Sequence, residues 1–124
     1  MNKILVCITA QSNSHRLIDK GNEAAQKNNG TLHILHVEKG NDIFKSSDKL
    51  LQELFNYAST LGGIVHGLCS DDVVQTIMQF IKGEEITHIV LGEPPAAENI
   101  KPLDIDAILR DKMPHLEIII LRRN

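Results

Sequence analysis

At 124 residues, 42% of them hydrophobic and 23% charged, the chain has the length of one domain with a continuous core. Its net charge is −3, and its 13 Lys and Arg are scattered apart from Arg122-Arg123, so no basic stripe offers a footprint for nucleic acid. Aromatic residues make up only 3%, which leaves the packing to Ile, Leu, Val and Ala, a composition that suits a parallel sheet covered by helices.

The first apolar run, residues 3–9, imitates a signal peptide because Lys3 precedes it. It is too short, however, and leads directly into polar Gln11, Ser12, Asn13 and Ser14 without a small-residue cleavage site, so it reads as a strand. No run reaches the roughly 18 apolar residues of a membrane span, and a cytoplasmic protein without membrane insertion is expected. Leu17, Ile18, Gly21, Ala24 and Ala25 then fall on one face of a helix. Residues 31–37 form a second strand, and Leu50, Leu51, Leu54, Phe55, Ala58 and Leu61 a second helical stripe. A third strand at 63–69 is followed by the stripe Val73, Val74, Ile77, Met78 and Ile81. The fourth strand is 87–92, Ile105, Ile108 and Leu109 mark a short fourth helix, and 116–122 is the last strand.

Polar residues stand where helices begin: Ser12 or Ser14, Ser46 or Ser47, Ser70 or Asp71, and Asp104, each placed to accept an orphan backbone N–H. Gly30, Gly62 and Gly83 stand where helices end, the place for a left-handed residue. The resulting βαβαβαβαβ order predicts right-handed crossovers and a single α/β domain, a parallel sheet with helices on both faces. Two irregular stretches, 38–45 and 93–103, follow carboxyl ends of strands, the edge where open α/β sheets bind ligands. Cys7 and Cys69 lie in or at the end of apolar runs without CxxC spacing and read as reduced, buried thiols.

Three segments carry a resemblance: Ile4 to Gly21, Leu32-His-Ile-Leu-His-Val-Glu38, and Ile86-Thr-His-Ile-Val-Leu-Gly92. Together they resemble a universal stress protein. The Leu5-Val-Cys7 opening, the Ser12-x-Ser14 pair and Arg16-Leu-Ile18 are similar to the universal stress domain of KdpD-type potassium sensor kinases. The resemblance covers almost the whole chain and implies a universal-stress-like, adenine nucleotide alpha hydrolase-like domain over 1–124. Its expected architecture is a doubly wound, five-stranded parallel sheet of order 3-2-1-4-5. It also implies an adenine-nucleotide pocket above strands one and four in the ATP-binding members, which carry an Asp at the end of strand one and a G-x2-G-x9-G-[ST] loop after strand four. Thr9 occupies the position of that Asp, and no glycine follows Gly92.

The consequence for phosphate binding is physical. Glycine-rich loops cradle phosphate by converging backbone N–H groups on its oxygens. Pro94 and Pro95 each remove one N–H, and Glu93 places a negative charge where a polyphosphate would lie. Like charges about 4 Å apart near a protein surface cost on the order of 4 kcal/mol, more than one hydrogen bond returns. Residues 93–98 therefore read first as a stiff connector, with ligand or partner contact as the alternative.

Ser12 and Ser14 read as helix caps or as ligand contacts. A Ser-x-Ser pair in some KdpD-type domains is associated with cyclic di-adenosine monophosphate, but the aromatic strand-two motif that accompanies it is replaced here by residues 32–36. The six histidines lack metal-ligand spacing: His33 and His36 face opposite sides of a strand, and His88 and His115 open strands away from the ligand edge. His36, near the end of strand two, remains a candidate pocket residue. Asp71 and Asp72 read as capping charges rather than an acid/base pair. No Ser-His-Asp arrangement or G-x-S-x-G elbow is present, so no enzyme, cofactor or metal is expected. The four aliphatics 118–121 would be an aggregation hazard on an open edge, and the resemblance implies a homodimer built on that strand, through Leu116, Ile118, Ile119, Ile120 and Leu121. The expected function is a dimeric regulatory or stress-response module that does not bind ATP, with an unnamed protein partner. The alternative is a sensor that binds an adenine nucleotide or cyclic dinucleotide without hydrolysing it, through Thr9, Ala10, Ser12, Ser14, His36, Val37, Gly92 and Glu93.

Overall fold

The structure is a computed structural model that describes residues 2–8, 14–39, 49–92 and 105–122. Strands β1 (Lys3–Cys7), β2 (Thr31–Lys39), β3 (Ile64–Ser70), β4 (His88–Gly92) and β5 (Glu117–Leu121) alternate with helices α1 (Ser14–Lys27), α2 (Lys49–Thr60), α3 (Val73–Glu84) and α4 (Ile105–Lys112). All four strand pairings are parallel and the order is β3-β2-β1-β4-β5, as the resemblance implies.

The layering follows from handedness. The chain first moves outward from β1 to β2 to β3, and right-handed crossovers put α1 and α2 on one face. It then returns to the other side of β1 for β4 and β5, so the same rule puts α3 and α4 on the opposite face. Two apolar cores result. Ile4, Val6, Ile34 and Val90 point towards α1 and α2 and meet Ile18, Leu54 and Ala58. Leu5, Leu35, Ile89 and Leu91 point the other way and meet Ile77, Ile81 and Leu109. Burying a side chain such as Ile18 completely contributes about 1.5–3 kcal/mol, which is why the 3.6-residue stripe decides where the helix lies. Helix α1 is pressed so close that a Cβ on Gly21 would stand 2.2 Å from Val6 Cγ2. On its outer side Tyr57 of α2 stacks on His15 and donates a hydrogen bond to the Asp19 carboxylate.

Several local expectations are corrected. The N-cap of α3 is Asp72, whose carboxylate accepts the Gln75 N–H at 3.0 Å, rather than Ser70 or Asp71; Ser70 instead accepts the Asp72 N–H. Left-handed residues at helix ends are Asn29 and Glu85, not Gly30 and Gly83. Gly30 is demanded by crowding, since a Cβ there would lie 2.5 Å from the Asn2 carbonyl, and Gly83 lies within α3. Gly62, with φ of 84°, plays the expected part. Strand β2 runs to Lys39, so Glu38 and Lys39 belong to the sheet rather than to the loop. Cys69 is exposed, near the carboxyl end of β3, the strand at one end of the sheet.

The two sheet edges differ from what the aliphatic run suggests. Ile118 and Ile120 of β5 pack against one core and Ile119 and Leu121 against the other, leaving all four half-buried. Among the described residues the exposed large hydrophobic side chains are Ile64 and Leu68, on β3.

Candidate functional site

The strand order reverses between β1 and β4, and a crevice beyond their carboxyl ends is where such sheets receive ligands. Of the candidate residues, Ser14, His36, Val37 and Gly92 lie among those described, while Thr9, Ala10, Ser12 and Glu93 lie outside them. Ser14 opens α1 and is fully buried. Gly92 ends β4 over the first turns of α1, where an added Cβ would meet Leu17 at 3.6 Å, an ordinary contact. Neither packing nor a positive φ therefore requires glycine at 92.

His36 bridges two strands at this edge. Its ring is buried on the α1/α2 side, with Nδ1 3.0 Å from the Ile8 carbonyl, where β1 ends, and Nε2 3.2 Å from Glu38 Oε1. Both partners accept, so whichever ring nitrogen carries a hydrogen has an acceptor in place. Val37 turns to the other face and packs against the α3/α4 core, so the pleat separates it from His36. Glu38 is the residue that sequence reasoning left out. The signal was present, since residues i and i+2 on a strand share a face.

The remaining chemistry lies away from the switch point. His33 of β2 and His66 of β3 share the α3 face, with His33 Nδ1 3.2 Å from His66 Nε2 and the edge of Phe80 against both rings. Burial holds both imidazoles below the ordinary histidine range, and the neighbouring His66 lowers His33 further while Glu84 opposes the shift. His88 pairs with Glu117 across β4 and β5 at 3.5 Å. Burial pushes the Cys7 thiol up to about 12, which disfavours the thiolate that a nucleophile needs. Among the described residues no three His, Cys, Asp or Glu side chains are grouped to hold a metal ion. A cleft of about 400 Å³ lined by Ile81, Lys82, Thr87, Lys112 and Met113 opens at the amino edge of the sheet, away from the switch point. The carboxyl ends of α3 and α4 meet there, and Lys82 and Lys112 answer the partial negative charge of those ends.

This geometry is that of the universal stress proteins, and the chain has their fold. A universal stress protein in complex with cAMP superposes with a TM-score of 0.71, covering 98% of this chain and 96% of that one at 14% identity. A universal stress protein from Archaeoglobus fulgidus in complex with dAMP gives 0.69, with 97% of each chain covered at 17% identity. Among curated proteins the chain is similar to sensor proteins. It is 35% identical over 92 residues to a putative sensor protein KdpD of Synechocystis, and 26% identical over 90 residues to the sensor protein KdpD of Mycobacterium tuberculosis. Each alignment takes in 73% of this chain, but only 25% and 10% of those proteins, so the similarity is to a part of them. No family model matches the chain. No helix among the described residues is long and apolar enough to cross a membrane.

Proposed function

We propose that the chain is a non-catalytic regulatory module that works as a homodimer and does not hold ATP in the manner of the ATP-binding universal stress proteins. The observation that carries this reading is the position of Gly92. It delivers the chain to the switch point beside the start of α1, and the residues that follow it are Glu93, Pro94 and Pro95. A segment entering there with one added carboxylate and two missing N–H donors is a poor triphosphate cradle. Supporting the dimer is the last strand: its aliphatics are half-buried, and the far side of β5 pairs with no described strand. Light scattering at micromolar concentration is expected to give twice the 13.8 kDa chain mass.

A second reading is favoured by the structures solved with cAMP and dAMP, which share this fold: a sensor for an adenine monophosphate or cyclic dinucleotide held at the same edge. One phosphate asks for fewer donors than three. Thermal shift with ATP, AMP, cAMP and cyclic di-adenosine monophosphate separates the two. A ligand at 100 times its dissociation constant adds about 2.7 kcal/mol of stability. Stabilisation by ATP sinks the first reading, and silence from every nucleotide sinks the second.

A further inference from the structure

His33 and His66 are absorbed neither by the switch point nor by the apolar cores. They come from different strands. The β2–β3 register pairs Leu35 with His66, so His33 is its diagonal neighbour on the same face, two residues towards the start of β2. The rings stack with centroids 5.4 Å apart and an interplanar angle of 19°, and Phe80 of α3 meets His66 edge-on at 4.7 Å and His33 at 6.3 Å. The groups that face them are Lys3 from β1, Thr31 from β2 and Glu84 from α3. We propose that His33, His66 and Phe80 form a proton-operated latch that fastens α3 and the edge strand β3 to the sheet, closed when the two imidazoles share one hydrogen bond and opened when each carries a full complement of protons.

The proton count explains why two histidines behave differently from one. Between His33 Nδ1 and His66 Nε2 there is room for a single hydrogen. In the neutral pair one ring donates and the other accepts, and the Thr31 hydroxyl, 3.4 Å from His33 Nε2, serves as donor or acceptor for either direction. A first added proton goes to the outward nitrogen that still lacks one, His66 Nδ1 when His66 donates and His33 Nε2 when His33 donates, and the shared bond survives. A second proton turns both facing nitrogens into donors and sets two cations side by side. Lys3 adds to that repulsion and Glu84 offsets only part of it. The bond is then replaced by repulsion beneath Phe80, at a sheet edge with no further strand beyond it among the described residues.

The sign is fixed by linkage. Both imidazoles are held below their unfolded value, so the unfolded chain binds more protons in acid. The contribution is complete above the unfolded histidine pKa of about 6.5 and is lost as the pH falls below it.

The test is urea denaturation from about pH 8 to about pH 5 on the full chain and on His66→Phe, with backbone amide exchange followed residue by residue. In the parent chain the ratio of folded to unfolded protein is expected to fall with acid by up to about tenfold per pH unit for each proton the pair excludes. Amides of β3 and α3 should lose protection before those of β1, β4 and α1. His66→Phe keeps a ring against Phe80 and should remove that share of the acid loss. The latch is overturned if His66→Phe declines as steeply as the parent, or if β3 is as well protected in acid as near neutrality. Where the variant does not fold, ring proton resonances of the parent chain decide: two coupled steps below the free-histidine value support the latch, and independent titration of His33 and His66 near about 6.5 overturns it.

Discussion

His33 and His36 are three residues apart on β2, yet the pleat turns them to opposite faces and towards different hydrogen-bond partners. His36 looks towards α1 and finds a backbone carbonyl and a carboxylate, one acceptor for each ring nitrogen. His33 looks towards α3 and finds another imidazole, which tolerates one proton between the rings and not two. What decides the chemistry of a buried histidine here is the set of groups on its own face, Ile8 and Glu38 for His36 and His66 and Thr31 for His33. One strand thus carries a histidine held between two acceptors at the ligand edge and a histidine held by another imidazole at the sheet edge, a tie that protons weaken.

The largest way to break this comparison is His36→Leu. The aliphatic side chain fits the buried site but leaves the Ile8 carbonyl without its ring donor and Glu38 without its partner, and a loss of about 2–3 kcal/mol is expected from the urea midpoint near neutrality. A loss under about 0.5 kcal/mol would mean that water replaces the ring and that His36 does not tie β2 to the end of β1.

Phe80→Ala acts on the other side. Phe80 is half-buried, so the expected cost is about 1–2 kcal/mol, below the roughly 3–5 kcal/mol of a fully buried aromatic ring. The same substitution readmits water to His66, whose imidazole is lowered chiefly by burial, and so should move its ring titration upward towards free histidine. If the resonance does not move, Phe80 is packing only and does not hold the latch dry. A smaller effect, under about 1 kcal/mol, is expected for Glu38→Gln, because the amide can turn its NH2 towards Nε2 of a singly protonated His36.

These contrasts also show how far the sequence could be read. The strand order and the two cores were legible because each apolar run is bounded by turn residues and each helix carries one apolar stripe, as Leu17, Ile18, Gly21, Ala24 and Ala25 do. The capping details were less so, because Ser70, Asp71 and Asp72 are all competent caps and only backbone geometry selects Asp72. Gly30 could not be told from a left-handed helix end, since its reason is the Asn2 carbonyl from a different part of the chain. The pairing of His33 with His66 spans 33 positions and depends on the β2–β3 register, which no local pattern encodes. Of the candidate site, His36 emerged from its place at a strand end, while Glu38 was assigned to a loop and so was lost with the assumption that β2 stops at Val37.

The smallest perturbation is the most selective. Thr31 stands 3.4 Å from His33 Nε2, at the long limit of a hydrogen bond, so Thr31→Val should change stability by no more than about 0.5 kcal/mol. Valine also suits the first position of a strand and nearly matches threonine in shape. Its effect should fall on the tautomer. With the hydroxyl gone, a proton on His33 Nε2 has no acceptor there, and His33 should keep its proton on Nδ1 and donate to His66. Ring nitrogen shifts report that choice directly. An unchanged tautomer mixture with unchanged stability would place Thr31 outside the relay and leave the two imidazoles and Phe80 as the whole of the latch.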